Sequence, residues 1–289
     1  MRSSPAPVSV SIVMPFKNAA QTLPDCLQSI QAQSLADFEL IAINDHASDD
    51  SVAVIRSFAD RRFRVIDNPG QGIVAALNAG ISHAGSPLIA RMDADDIMRP
   101  ARLQRQFDCM QQHEEIDLCA TQVELFPAQR IQAGYREYIR WQNRCLSEAQ
   151  IATQIYVESP FAHPSVMFRR DALLKQGGYR DGEFAEDYDC WLRLFHAGAR
   201  MFKIDEVLLD WRESETRLSR NSSRYSRSAF DDLRARYLAA DARLQKRDIV
   251  YWGAGRKTRK RSALLIKRGF PPAAWIDIDE KKIGQRVQG

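Results

Sequence analysis

The sequence has no long hydrophobic run and no paired cysteine motif. None of its apolar stretches is long enough to span a membrane, and residues 1–7 are too short and too polar for a signal peptide. The five cysteines are an odd number without a Cys-x-x-Cys pair, which argues against a disulfide framework or a zinc site. These absences predict a cytoplasmic protein with reduced thiols, and 289 residues suffice for one large domain with an appendage.

Acidic residues are scarce in one part of the chain. Residues 212–268 contain 17 Lys or Arg against 6 Asp or Glu, whereas the whole chain carries a net charge of only +4. A basic extension on an acidic body favours peripheral contact with an anionic membrane, at its inner face, or with an anionic acceptor. A solvated helix face explains the same charges equally well. The extension has no nucleic-acid-binding motif, so no nucleic acid partner is expected.

Apolar runs alternate with helical patterns along the first hundred residues. We predict strands at residues 8–14, 38–43, 63–66 and 88–92, with helices that begin near Thr22, near Ser48 and after Gly72. This alternation is typical of right-handed βαβ units and predicts an α/β fold with a mostly parallel central sheet flanked by helices. Pro15 is expected to stop the first strand, because it has no N–H to donate.

Polar and turn residues follow each predicted strand, namely Pro15-Phe16, Asp45, Asn68 to Gly72, and Asp93 with Asp95. Ligands of such sheets bind at the carboxyl ends of the strands. Asp93 and Asp95 can share one face of an extended chain, and two close carboxylates repel each other unless a cation lies between them. Their oxygens suit Mn²⁺ or Mg²⁺. The alternative is an acidic turn that caps the helix starting near Pro100. Asp96 is expected to contribute little to metal-dependent binding.

Four segments, in this order, resemble the family 2 glycosyltransferases: Val10-Ser-Ile-Val-Met-Pro-Phe-Lys-Asn18, Ile43-Asn-Asp-His-Ala-Ser-Asp49, Asn78-Ala-Gly80 and Arg91-Met-Asp-Ala-Asp-Asp96. The resemblance runs from about Val8 to Trp211 and implies a GT-A fold, with a Rossmann-like nucleotide-binding half and an acceptor half. It also implies inverting, metal-assisted transfer of a sugar from a nucleotide-diphosphate sugar, with a UDP-sugar favoured. The acceptor would be a hydroxyl of a saccharide or lipid-linked molecule in polysaccharide or glycolipid synthesis.

The resemblance further implies which residues contact the donor: Pro15, Phe16, Asn18, Asp45, Gly72, Arg91, Asp93 and Asp95. In this assignment Pro15 and Phe16 border the nucleobase, and Asp45 hydrogen-bonds it. Asp93 and Asp95 flank the ribose and the metal-bound diphosphate and are the expected metal ligands. The chain departs from the family at Asn18, where relatives usually carry Glu.

The second half of this region has an acidic pair, Glu186-Asp187, before an aromatic-rich helical pattern. The helix dipole is a sufficient structural reason for acids at that place. In the family that the chain resembles, the Asp is the catalytic base, so Asp187 is the expected base and Glu186 the next candidate. Asp189 is expected to be an ordinary surface acid.

Two aromatic side chains are candidate substrate contacts. His163 precedes a predicted strand at residues 165–168, and it is either structural or in contact with substrate or metal. Trp191 belongs either to the core or to a wall of the acceptor pocket. Before them, residues 116–126 are predicted as a strand in a partly hairpin-like pairing. Residues 127–146 have weak periodicity and are predicted as a variable excursion over the acceptor side.

The C-terminal part has a different pattern. We predict a loop over the active site at residues 212–225, a basic amphipathic helix at 230–244, and strands at 248–252 and 274–279. Gly253-Ala-Gly255 resembles a Rossmann turn, but Thr258 occupies the place of the third glycine. About 40 residues are too few for a doubly wound domain, so dinucleotide binding is not expected. The predicted domains are 1–211 (catalytic), 212–247 (basic extension) and 248–289 (partial Rossmann-like segment).

Two other functions fit parts of the pattern. A nucleotidyltransferase that makes nucleotide sugars would use a related sheet, but it needs a glycine-rich loop after the first strand, and residues 16–20 contain no glycine. A non-catalytic nucleotide-binding protein could be built around Gly253 and Gly255.

Overall fold

The computed structural model describes residues 8–214, 222–282 and 284. The chain divides into two compact units: unit 1 comprises residues 1–181 and 186–217, and unit 2 comprises residues 182–185 and 218–289. Residues 1–7, which we considered as a signal peptide, and residues 215–221 of the predicted loop lie outside the described residues. Within the described ranges, no helix combines the length and apolar character that crossing a membrane requires.

The first half of unit 1 is a parallel sheet with helices between its strands, as predicted. The strands occur in the order β3-β2-β1-β4 and pair in parallel throughout. The elements are β1 (Val10–Phe16), α1 (Leu23–Gln31), β2 (Phe38–Asn44), α2 (Ser51–Ser57), β3 (Phe63–Asp67), α3 (Ile73–Ser82) and β4 (Leu88–Arg91).

Pro15 does not stop β1, contrary to the prediction. Successive residues of a strand direct their backbone groups to alternate sides: the carbonyl of Val13 accepts from Met92 beside β4, and that of Phe16 accepts from Asp45 beside β2. Pro15 therefore faces the β4 side, where β4 has already ended at Arg91. Because no strand needs an N–H there, the proline is tolerated.

Gly80 lets α3 lie directly against the sheet. A Cβ at this position would stand 2.5 Å from the side chain of Val13 and 2.7 Å from that of Ile43. The core between sheet and helices consists of buried aliphatic side chains from β1, β2 and α1, among them Ile12, Leu40 and Leu27. This close packing determines where the carboxyl ends of β1, β2 and β4 meet the first turn of α3.

The second half of unit 1 continues the same sheet with mixed pairing. The strand order continues β4-β7-β6-β8-β5, in which β7 is antiparallel to β4 and β6, and β8 is parallel to β6 and antiparallel to β5. The elements are β5 (Ile97–Met98), α4 (Arg102–Gln112), β6 (Leu118–Phe126), α5 (Ala133–Arg144), α6 (Glu148–Gln154), β7 (Met167–Arg169), α7 (Arg170–Lys175), α8 (Glu186–His196) and β8 (Met201–Arg212).

One prediction for this half was wrong, and one helix was not predicted. The strand predicted at residues 116–126 is not part of a hairpin, because its partners β7 and β8 come from much later in the chain. The excursion predicted at residues 127–146 contains the 12-residue helix α5. Its buried face consists of Ile139 and Gln142, a pattern too sparse for recognition by apolar periodicity.

Unit 2 has a helix and a small βαβ element. Its elements are α9 (Arg227–Ala240), β9 (Ile249–Trp252), α10 (Arg256–Ile266) and β10 (Pro272–Ile276). The two strands pair in parallel. The helix predicted at 230–244 and both predicted strands are present with shifted ends. The side chain of Asp277 accepts from the N–H of Ala254 at 2.6 Å, so it occupies the Gly-x-Gly turn.

Candidate active site

Three carboxylates gather in the loop that follows β4. One oxygen from each of Asp93, Asp95 and Asp96 lies within 4.8 Å of the others. Asp93 and Asp95 are partly exposed, whereas Asp96 is fully buried. The Oδ1 of Asp96 accepts from the N–H of Arg212 at 2.7 Å, and the Nε of Arg212 donates to the carbonyl of Asp95 at 2.6 Å. Asp96 therefore anchors the end of β8 to this loop.

Arg91 is a buried cation between two groups of acids. Its guanidinium pairs with the carboxylate of Asp93. Burial opposes the charge of Arg91, but the field and hydrogen bond of Asp93, together with the fields of Tyr179 and Asp96, outweigh it, and the pKa of Arg91 is raised. The same cation partly offsets the rise that burial and Glu186 cause in the pKa of Asp187, whose carboxyl comes from α8. Arg91 therefore links electrostatically two acidic groups that are more than 90 residues apart in the chain.

The carboxyl end of β2 carries Asp45, which organises the turn before α3. Its Oδ1 accepts from the Nδ2 of Asn68 at 2.7 Å and from the N–H of Gly72 at 2.9 Å. Gly72 has φ +84, a conformation that residues with a Cβ rarely adopt. Asp45 and Asp93 follow strands that are two apart in the sheet, or about 10 Å. The structure thus places Asp45, Gly72 and Asp93 at one edge of the sheet, as the order of the strands predicted.

The loops after β1 and β2 are joined by side chains. The Oδ1 of Asn18 accepts from the N–H of Ser48 at 2.8 Å, and Asp49 accepts from the N–H of Ala20 at 3.0 Å. Pro15 and Phe16 are buried at the end of β1, below these loops. The residue that departs from the family pattern, Asn18, therefore links the two loops.

The predicted base lies at the first turn of α8. Asp187 is partly exposed and Glu186 is buried beside it. Burial, and then the charge of Glu186, raise the pKa of Asp187 to about 7. A carboxylate with such a pKa is a far stronger base than an ordinary Asp and is still ionised in a large fraction of molecules near neutral pH.

His163 and Trp191 are both buried, and their rings contact each other. The Nε2 of His163 is 2.9 Å from the hydroxyl of Tyr179, and burial together with Arg91 holds the pKa of His163 well below its usual value. A neutral imidazole results. Trp191 is 0% exposed, and its ring meets those of Phe161 and His163 edge to face. Two roles were predicted for Trp191, a core residue or a wall of the acceptor pocket. Its burial agrees with a core residue, so direct contact with substrate is not expected.

The surface role predicted for Asp189 was wrong. Asp189 is 1% exposed and pairs with Arg193, also buried, at 2.8 Å. Arg193 in turn donates to the carbonyls of Gln176 and Gly178. The pair is one helical turn apart on α8 and holds this helix against the segment that leads to Tyr179.

Comparison with known proteins places this geometry in a family. Residues 11–177 match the model of "Glycosyl transferase family 2". The protein EpsE of Bacillus subtilis is 30% identical over 290 residues, which cover 98% of this chain and 95% of EpsE. The chain belongs to glycosyl transferase family 2. It is an enzyme, a glycosyltransferase, and the family decides against the nucleotidyltransferase and the non-catalytic alternatives.

Other members and folds agree with this assignment. An Escherichia coli enzyme named UDP-Gal:alpha-D-GlcNAc-diphosphoundecaprenol beta-1,3-galactosyltransferase is 30% identical over 235 residues, covering 79% of this chain and 82% of its own. Staphylococcus aureus TarS 1–349, solved with UDP-GlcNAc, superposes with a TM-score of 0.66 at 14% identity, covering 90% of this chain and 72% of its own. Its likeness confirms the predicted GT-A fold.

The acidic loop of this family 2 transferase fits a divalent cation. Two oxygens on opposite sides of an ion with metal–oxygen distances of about 2.1–2.4 Å are roughly 4 to 5 Å apart. The spread of the three carboxylates matches that span, and the described residues contain this one group of such acids. Asp93 and Asp95 are partly exposed, so of the three carboxylates they are the two that an ion could reach from solvent.

Sequence reasoning missed the role of Asn78 in the transferase, although it recognised the Asn78-Ala-Gly80 segment. The side chain of Asn78 accepts from the N–H of Tyr179 and donates to its carbonyl, both at 2.9 Å. Gly178 has φ +68, and a Cβ there would stand 2.7 Å from the Oδ1 of Asn78. Asn78 thereby fixes the backbone of Tyr179, whose hydroxyl meets His163. No local signal predicts a contact across 101 residues.

Sequence reasoning also missed a buried polar network under the acidic loop. Arg102 is 0% exposed, and burial lowers its pKa to about 9, so it stays charged at neutral pH. It donates to the carbonyl of Arg91 at 2.9 Å and to Gln106 at 3.0 Å. Gln106 donates to the carbonyls of Cys119 and Ser165. The spacing of Arg102, Gln106 and Met110 on one face of α4 was the available signal.

Proposed function

We propose that this glycosyltransferase moves a sugar from a UDP-sugar to a hydroxyl group of a saccharide or lipid-linked acceptor, with inversion, in the synthesis of a surface polysaccharide or glycolipid. One observation carries the proposal: Arg91 lies in the field of both a loop with three clustered carboxylates and an Asp with a raised pKa. The E. coli relative supports the donor and the lipid-linked acceptor, since its name contains both. TarS supports a UDP-sugar, which it binds.

The donor would lie along the carboxyl ends of β1, β2 and β4. Asp45 would accept from the nucleobase, whereas Pro15 and Phe16 border it. Asn18 and Gly72 belong to the two loops that frame this edge, and Arg91 would face the donor from β4. Asp93 and Asp95 would hold Mn²⁺ or Mg²⁺, in line with the Mn²⁺ of a Pyrobaculum calidifontis mannosyltransferase with a TM-score of 0.56, 16% identity and cover of 92% of this chain and 74% of its own. A divalent ion there supplies positive charge to the departing diphosphate.

The acceptor would bind against the first turn of α8. Its hydroxyl loses a proton to the carboxylate of Asp187 while its oxygen attacks the anomeric carbon. The bond from that carbon to the diphosphate breaks on the opposite face, so one displacement inverts the configuration. Glu186 raises the basicity of Asp187, and Arg91 keeps part of the population ionised. Asp187 receives the proton, and no side chain forms a covalent intermediate.

Calorimetry and product analysis test this proposal. UDP should bind more tightly with Mn²⁺ than with a chelator, and GDP, CMP and dTDP should bind more weakly. The anomeric configuration of the product, read by NMR, should be opposite to that of the donor. Equal affinity with metal and with chelator would remove the metal role, and a retained configuration would remove the single displacement.

A further inference from the structure

Unit 2 exposes an apolar sheet face. Val250 and Trp252 alternate along β9, and Ile276 pairs in register with Trp252 on β10. Trp252 is 74% exposed and Ile278, just beyond β10, is 89% exposed. The opposite face carries Tyr251 and Trp275, whose ring centroids lie 5.1 Å apart and which are partly buried. Parallel strands are normally covered on both faces, so an exposed apolar face of this kind indicates a binding surface.

Cations cluster at the same end of this small sheet. Trp252, Ile276 and Ile278 lie at the carboxyl ends of β9 and β10, and α10 begins there, four residues after Trp252. The first six residues of α10 are Arg256-Lys-Thr-Arg-Lys-Arg261, without an acid in the first turn. Positive charge at a helix N-terminus opposes the helix dipole, so an external anion would stabilise these cations.

The cations are available for such a partner. Arg256, Lys257 and Lys260 are exposed. The ion pairs that join this helix and its C-terminal turn to α9 use Arg261 and Arg268. Among the residues that the structure describes, Arg256, Lys257 and Lys260 form no ion pair.

We propose that this end of unit 2 is a docking surface for an anionic lipid bilayer. Trp252, Ile276 and Ile278 enter the interface between head groups and acyl chains, and the cations of α10 contact the phosphates. The charge of these residues favours an anionic bilayer over a second copy of the chain. A second copy would bring the same cations against each other, whereas an anionic surface would neutralise them. The proposal deepens the proposed function, because a lipid-linked acceptor would lie in such a surface. The observations that support it come from unit 2 alone.

Vesicle flotation of the full chain at low salt tests the surface. The wild-type protein should float with phosphatidylcholine vesicles that contain phosphatidylglycerol, but not with phosphatidylcholine alone, and raised salt should release it. The triple variant Arg256→Gln, Lys257→Gln, Lys260→Gln should lower the partition coefficient on the order of a hundredfold. Trp252→Ser combined with Ile278→Ser should lower it at least about tenfold.

Matched controls come from unit 1. Arg56→Gln, Arg61→Gln, Lys175→Gln removes three exposed cations, and Leu174→Ser removes an exposed apolar side chain. These variants should float like the wild type. All substituted residues are exposed, so the variants should remain folded, which circular dichroism checks.

Four results would overturn the proposal: no flotation of the wild type at low salt, equal flotation with neutral vesicles, equal losses in the controls, or a Trp252→Ser variant that dissociates a dimer but still floats. The last result would assign the face to a second copy of the chain. The proposed reaction is measured separately, with a water-soluble acceptor and no vesicles, so failure of one proposal is distinguishable from failure of the other.

Discussion

The two acidic regions of unit 1 differ in what lies against their carboxylates. In the loop after β4, Asp93 faces the guanidinium of Arg91 and Asp96 accepts from a backbone N–H. At the start of α8, burial and then the charge of another acid, Glu186, instead raise the pKa of Asp187. The first two carboxylates have cationic or N–H partners, whereas burial and a like charge favour proton uptake by Asp187. One residue type is thus prepared for two different tasks by its neighbours.

Removal of the base should have the largest effect and tests this contrast directly. Asp187→Asn is nearly isosteric, and Asn also suits a helix N-terminus. Because a base acts on the acceptor, transfer should fall about 10² to 10⁴-fold while donor affinity stays within about twofold. Turnover and calorimetry measure the two. If turnover stays near normal, the assignment of Asp187 fails, and the same test moves to Glu186.

In the acidic loop, by contrast, a substitution is expected to weaken binding of the donor. Asp95→Ala removes a charge-assisted contact, so metal-dependent binding of the donor should weaken about tenfold to a hundredfold. Asp96→Ala removes the acceptor of the Arg212 N–H and should lower the free energy of unfolding by about 1–3 kcal/mol. Calorimetry and thermal unfolding measure them. A metal affinity unchanged in Asp95→Ala would contradict the metal site.

Asn78→Ala tests whether the two regions depend on the long-range contact. The loss of two hydrogen bonds to Tyr179 should cost about 1–3 kcal/mol of stability. The matched control is Asn143→Ala, because Asn143 bonds the N–H and carbonyl of Val123 in the same way. Both variants should lose similar stability in urea unfolding, but kcat should fall further in Asn78→Ala. An equal kcat in both would reduce Asn78 to a structural role.

The smallest effect concerns pH. Since burial and Glu186 raise the pKa of Asp187 to about 7, and the base acts when ionised, kcat/KM should rise with pH through about 7. Glu186→Gln removes the like charge, which lowers the pKa of Asp187, so the acidic limb should move to lower pH. Glu114→Gln, an exposed acid on the surface of unit 1, should leave the profile in place. A limb that does not move would show that Glu186 is not the source of the raised pKa.

Much of the nucleotide-binding half could be predicted because its signals are local. The strands from Val10 to Arg91 appear as apolar runs, and a parallel sheet brings their carboxyl ends to one edge, so Asp45, Gly72 and Asp93 follow from the order of elements. The pairing of β6 with β7 and β8 could not be predicted in this way. Those partners are decided by contacts across 50 to 90 residues, which no periodicity records.

The sequence by itself determined the α/β class, the acidic loop, the acidic pair of α8 and, through ordered motifs, the family. Only the tertiary structure decided how the two acidic regions relate. It brought Arg91 within the field of Asp187, placed the side chain of Asn78 against the backbone of Tyr179, and buried Arg102 under the carbonyl of Arg91. The physical reason is that a pKa or a hydrogen bond depends on distance and burial in space. Neighbours along the chain specify neither when the partners are a hundred residues apart.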